Sequence, residues 1–158
     1  MKRLPIILLF FLTVACSSID CPVNSIVSTK YLILDKTGAE MPLSDTLSVL
    51  TRRNDDTITV LNRLVQKANF SLAVSYSHPE DVLFFVFHNG PLFVVDTVWI
   101  KKDDFPHFES VDCKASFFHT LTDIRYTNNY IDSIVIKNTS VNYDVSTVHF
   151  HLYPKVSN

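Results

Sequence analysis

Two histidines two residues apart, His149 and His151, are the nearest the chain comes to metal chemistry. Residues i and i+2 of a strand share a face. The run Val148-His149-Phe150-His151-Leu152-Tyr153 is therefore expected to turn His149, His151 and Tyr153 to one side and Val148, Phe150 and Leu152 to the other. Paired neutral imidazoles can hold zinc, nickel or copper if a third ligand joins them. None can be assigned, because His78, His88, His107 and His119 show no metal spacing. The plainer reading is an amphipathic strand with a His and Tyr solvent face, and no metal or cofactor is expected. Nucleophilic chemistry has less support still: there is no Gly-x-Ser-x-Gly elbow, and Gly38 and Gly90 are the only glycines, too few for a phosphate loop. The pairs Asp55-Asp56 and Asp103-Asp104 read as turn residues, where Asp bonds the backbone. The expectation is a protein without a catalytic constellation, not an enzyme.

The thiols carry the sharper chemistry. Lys2 and Arg3 lead into an apolar run, Leu4–Leu12, and then into Leu12-Thr13-Val14-Ala15-Cys16, the layout of a secretory signal. The apolar run is roughly half of the ~20 residues a membrane-spanning helix needs. Ala15 before the cut and Cys16 after it resemble the bacterial lipobox, with Thr13 where Leu is usual. Residues 1–15 are thus expected to be removed and Cys16 acylated, leaving 16–25 as a lipidated tether and 26–158 as one domain. Ser17 stands where an inner-membrane retention signal would place Asp, which favours the outer membrane. Losing Lys2 and Arg3 makes a chain of formal charge −2 more acidic. That argues against a nucleic-acid partner, which needs a clustered basic face.

With Cys16 taken by lipid, Cys21 and Cys113 form an even pair. In an oxidising envelope compartment such a pair is expected to be bridged. The bridge would close a loop of roughly 90 residues and contribute about 4–5 kcal/mol in the chain-entropy account. Free thiols or a metal site are the competing readings. Neither has a Cys-x-x-Cys or a His near Cys21 to support it.

One further pattern is Asp, then Thr or Ser, then an aliphatic residue: Asp45-Thr46-Leu47, Asp56-Thr57-Ile58, Asp96-Thr97-Val98 and Asp132-Ser133-Ile134. It has two readings. Asp ends turns and β-branched Thr begins strands, or the tripeptide resembles the O-glycan acceptor of exported Bacteroides-type proteins, with Thr46, Thr57 and Ser133 as candidates. Asp96-Thr97-Val98 lies inside an expected core strand and is the poorest acceptor.

The elements that must position these residues are strands. Val, Ile, Thr, Phe and Tyr abound and no segment keeps a helical period. Strands are expected at Thr29–Leu34, Thr46–Arg52, Thr57–Val65, Phe70–Val74, Val82–Phe87, Leu92–Ile100, Lys114–Tyr126, Tyr130–Ile136 and Ser146–Tyr153. Asn89-Gly90 predicts a hairpin between the fifth and sixth, and the apolar run Val82–Val95 predicts that this hairpin is core. Lys101-Lys102-Asp103-Asp104 is expected to end it. About eight or nine short strands imply an all-β, antiparallel β-sandwich, immunoglobulin-like in kind.

Glu109-Ser110-Val111-Asp112-Cys113, Tyr130-Ile131-Asp132-Ser133-Ile134-Val135-Ile136-Lys137-Asn138 and His149-Phe150-His151-Leu152-Tyr153 resemble a family of uncharacterised small Bacteroidota lipoproteins. Its members are lipobox-headed, with one Cys soon after the lipidated one and a second before the penultimate strands. Lys114 departs from the pattern, which has Gly there. The resemblance implies an envelope address and a β domain, and no activity. The expected role is a non-enzymatic binding or assembly module, held at the membrane by its N-terminal lipid, for an unknown protein or glycan partner. The rivals are a small periplasmic hydrolase or metal-dependent enzyme using His149 and His151, and an accessory subunit of an outer-membrane complex.

Overall fold

The structure, a computed structural model, describes Cys21 and residues 26–155. The signal segment and Cys16 lie outside the described residues. Ten strands and no helix are formed among them: β1 (Ser28–Ile33), β2 (Thr46–Arg53), β3 (Asp56–Leu64), β4 (Asn69–Ala73), β5 (Glu80–Asn89), β6 (Leu92–His107), β7 (Ser116–Tyr126), β8 (Ile131–Ile136), β9 (Ser140–Val141) and β10 (Phe150–Pro154). They make two sheets, one of four strands in the order β4-β1-β10-β8 and one of six in the order β3-β2-β5-β6-β7-β9. The expected all-β sandwich is present. All pairings are antiparallel except that of β1 with β10, which runs parallel with Tyr31 opposite Phe150.

Alternation decides which side chains meet between the sheets. In β1, Thr29, Tyr31 and Ile33 are buried while their neighbours are not; in β4, Phe70 and Leu72 are. Tyr31 stacks on Phe70 and on Phe150 within its own sheet, at 4.7 Å each, and meets Phe85 of the other sheet edge-on at 5.9 Å. This aromatic knot joins the layers, each ring adding geometry-dependent attraction to its burial. Leu47, Val49, Leu121, Ile131 and Leu152 extend the core around it.

Four expectations are corrected. Strand β6 does not stop at Ile100: it continues through Lys101–Asp104 to His107 because β7 pairs with it along the whole stretch, with a bulge at Lys101/Lys102. Charge in sequence does not end a strand that has a partner. A tenth strand, β9, sits in the expected connection after Ile136, and β10 begins at Phe150, four residues later than expected. The β5–β6 hairpin is core only in its middle, for Leu92, Phe93 and Val94 are exposed. Its turn is as expected: Asn89 pairs with Leu92 across Gly90-Pro91, and Gly90 takes φ +59°, a conformation that favours glycine.

Candidate functional site

The inward face of β6 carries polar side chains where apolar ones would suffice. Asp96 shares its parity with Val98 and Ile100 and is 0% exposed. No cation meets it. Its Oδ1 accepts from the Thr127 hydroxyl at 2.7 Å and the Asn129 N–H at 2.8 Å, and its Oδ2 from the N–H groups of Tyr130 at 2.7 Å and Ile131 at 2.8 Å. A buried carboxylate is tolerated when its lone pairs are filled this way. Since β7 belongs to one sheet and β8 to the other, Asp96 fastens the crossover between them. The signal in the sequence was a lone acid in Val94-Val95-Asp96-Thr97-Val98, at a position that alternation turns inward.

Further along β6, Lys102 is only 3% exposed. Its ammonium donates to the His78 carbonyl and lies 3.3 Å from Asp104 and 4.0 Å from Asp81. Asp104 in turn meets Nδ1 of buried His119, directly opposite on β7, at 2.6 Å. Burial raises the Asp81 pKa, against the pull of Lys102. Burial lowers that of His119, against the hydrogen bond and charge of Asp104. Sequence reasoning missed this cluster because it took Lys101–Asp104 for a turn.

His149 corrects another expectation. It lies just before β10 rather than on a solvent face of it, and is 1% exposed. Nδ1 accepts from the Lys30 N–H at 3.0 Å and Nε2 faces the Ser140 carbonyl at 3.1 Å, the pattern of a neutral ring spanning two backbones. Burial lowers its pKa. His151 is half-buried on β10, edge-on to Tyr153. The two imidazoles do not share an open face. Among the described residues no group of three or more His, Cys, Asp or Glu could hold a metal.

The other predicted positions fall as follows. The Cys21 and Cys113 sulfurs are at bonding distance, 2.07 Å, with Cα atoms 5.5 Å apart, and close a sequence separation of 92. Thr46 opens β2, Thr57 is exposed on edge strand β3, and Ser133 is half-buried in β8. In each tripeptide the third residue turns inward, Leu47, Ile134 and Val98 being buried and Ile58 half-buried. Asp45 just before β2 and Asp56 opening β3 fit the turn-then-strand reading, whereas Asp96 lies within β6 and Asp132 within β8.

The surface best shaped to hold something is the cleft under the β5–β6 tip, about 610 Å³ in volume. Leu92, Phe93 and Val94 form one wall and the Met41–Asp45 loop another, over a floor of Phe87 and Tyr130. Those floor rings stack at 3.9 Å. Burial first, then the adjoining Asp45 carboxylate, pushes the Tyr130 hydroxyl above its usual range, so it stays protonated. Asp45 and Lys155 supply opposite charges at the rim. Phe93 also borders a shallow apolar strip on the outer face of the six-stranded sheet with Phe84, Val86 and Val95. The arrangement can recognise an apolar group flanked by polar ones; it presents no activated nucleophile.

No curated protein and no solved structure matches the chain. Residues 46–154, from the first residue of β2 to the last of β10, match the Family of unknown function (DUF6452), and since this is well over half of its length the chain belongs to that family.

Proposed function

We propose that the protein is a lipid-anchored envelope protein acting as a non-enzymatic binding or assembly module, and that the cleft beneath the β5–β6 tip is its recognition end. The carrying observation is the exposure of Leu92 and Phe93, at 65% for Phe93, over an apolar cleft with Asp45 and Lys155 at its rim. Large apolar side chains left open beside a concavity mark binding surfaces, and the mix suits an apolar side chain of a protein partner better than a uniformly polar glycan. The address rests on Leu12–Cys16 as a lipobox and on a Cys21–Cys113 bridge that an oxidising compartment would keep. The Bacteroidota origin and the outer membrane follow from the resemblance of the last third and from Ser17.

A metal-dependent enzyme at His149 and His151 is the weaker reading, since both His149 nitrogens already serve backbone groups. An accessory subunit of an outer-membrane complex differs from the preferred reading only in its partner. Thr46, Thr57 and Ser133 stand as O-glycan acceptors, Thr57 the most accessible, and intact mass of exported T57A against the parent chain reads this directly. The function is tested by affinity capture from envelope extracts with the full chain. A partner held by the parent and lost from L92S/F93S supports the reading. Equal recovery by both refutes the cleft, and no partner above a Cys16→Ser control refutes the role.

A further inference from the structure

We propose that the opposite end of β6 is a bilayer-contact surface, with Phe105, Phe108 and Val111 seated among the headgroups of a zwitterionic membrane. The proposal rests on the lipid-anchor reading above and adds to it how the domain stands on that membrane. Strand β6 pairs with β5 only as far as Lys101, opposite Glu80, and then runs on to His107 as an arm paired with β7, whose other edge β9 borders at His119 and Thr120. Phe105 on the arm and Phe108 and Val111 in the loop beyond it are all exposed, Val111 at 97%. Exposed Tyr76 stacks on Phe117 at the arm's flank, at 4.8 Å, and Phe117 pairs with Pro106.

The tether ends at this arm. Cys113 sits in the same loop, bonded to Cys21, and Cys21 follows Cys16 by five residues. Five extended residues span at most ~18 Å, so whatever their conformation the acylated thiol stays within that reach of Cys21, the residue bonded to the loop that carries Phe108 and Val111. The Leu92 end of β6 lies 15 residues away, roughly 50 Å of strand. Aromatic side chains with polar neighbours are suited to the headgroup layer. The loop's charges are Glu109, which meets His107 at 3.0 Å, with Asp112 and Lys114. They offer no basic patch for anionic lipid, which selects a zwitterionic surface.

The test uses the full chain with phosphatidylcholine–phosphatidylethanolamine vesicles carrying brominated acyl chains. Trp99 is the sole tryptophan, so F108W and L92W are each placed in a W99F background. Quenching and a blue shift for F108W, and neither for L92W, is the expected result. An unquenched F108W, or an equally quenched L92W, overturns the proposal. With Trp99 retained, F105S/F108S in a Cys16→Ser chain should sediment with vesicles about tenfold less than Cys16→Ser alone, given the apolar area withdrawn; equal sedimentation overturns it independently. Intact mass at Cys16 is read separately. An unacylated Cys16 with a quenched F108W refutes the anchor and leaves the surface standing.

Discussion

Strand β6 turns two acids toward the interior, Asp96 and Asp104, and stabilises them by unlike means. Asp96 is surrounded by neutral donors, three backbone N–H groups and one hydroxyl. Asp104, on the arm, is held by an ammonium and an imidazole. Backbone dipoles do not titrate, so the clamp at Asp96 has donors that are the same at every pH. The cluster at Asp104 includes His119, a titratable ring whose pKa burial lowers. One residue type at one parity thus serves as a fixed fastener between sheets in the first place and as a charge-dependent brace for a projecting arm in the second.

Several substitutions test how differently the two acids are held. The largest effect is expected beyond the arm, where Cys21→Ser opens the loop closed by Cys113 and should remove about 4 kcal/mol of stability. Urea unfolding in oxidising buffer measures it, and reductant should then leave the variant unchanged. Next comes Asp96→Asn, which sets an amide N–H₂ against backbone N–H donors and should cost about 3 kcal/mol. Lys102→Met keeps the packed stem and removes the cation from Asp81 and Asp104. About 2 kcal/mol is expected, the partial exposure of Asp104 softening the loss. If Lys102→Met proves costlier than Asp96→Asn, the ranking of the two ends is wrong.

The smallest effect is the pH dependence itself. His119, His149 and His151 are all held below the usual 6.5 by burial, so the folded chain binds fewer protons than the unfolded one. Their contribution is present above the unfolded value of about 6.5 and is lost as pH falls below it toward their lowered values. Asp81, raised by burial, works in the opposite sense, its contribution being lost as pH rises from 3.8 through its raised value. Thermal unfolding midpoints at pH 7 and pH 6 should show the fall, and His149→Asn should reduce it, since an amide oxygen can still accept from Lys30. A flat profile for the parent chain would show that none of the three imidazoles stabilises the fold through its lowered pKa in this range.

What was legible in the sequence was what local chemistry decides. Asn89-Gly90 located a hairpin, alternation in Thr29–Ile33 and Phe70–Leu72 located inward faces, and an even pair of thiols located a bridge. What was not legible depended on a partner across the sheet. Lys101–Asp104 is strand because β7 lies beside it, and nothing within those four residues says so. His149 is buried because Lys30 and Ser140, distant in sequence, approach its two nitrogens. Leu92 and Phe93 are as apolar as Phe85 and Phe87, yet the first pair is exposed, Phe93 on the outer face of its sheet, and the second is buried. The cleft was hidden for the same reason, since the Met41–Asp45 loop and Tyr130 meet only once both sheets have formed.

The parallel rung between Tyr31 and Phe150 also bears on when this protein can fold. Strand β1, near the start of the described chain, has β10 as one of its two neighbours, and β10 ends at Pro154. The aromatic knot around Tyr31 therefore stays incomplete until the chain is present as far as β10, and so distant a pairing closes slowly. A chain threaded through an export channel from its first residue would reach the far side before its core could set.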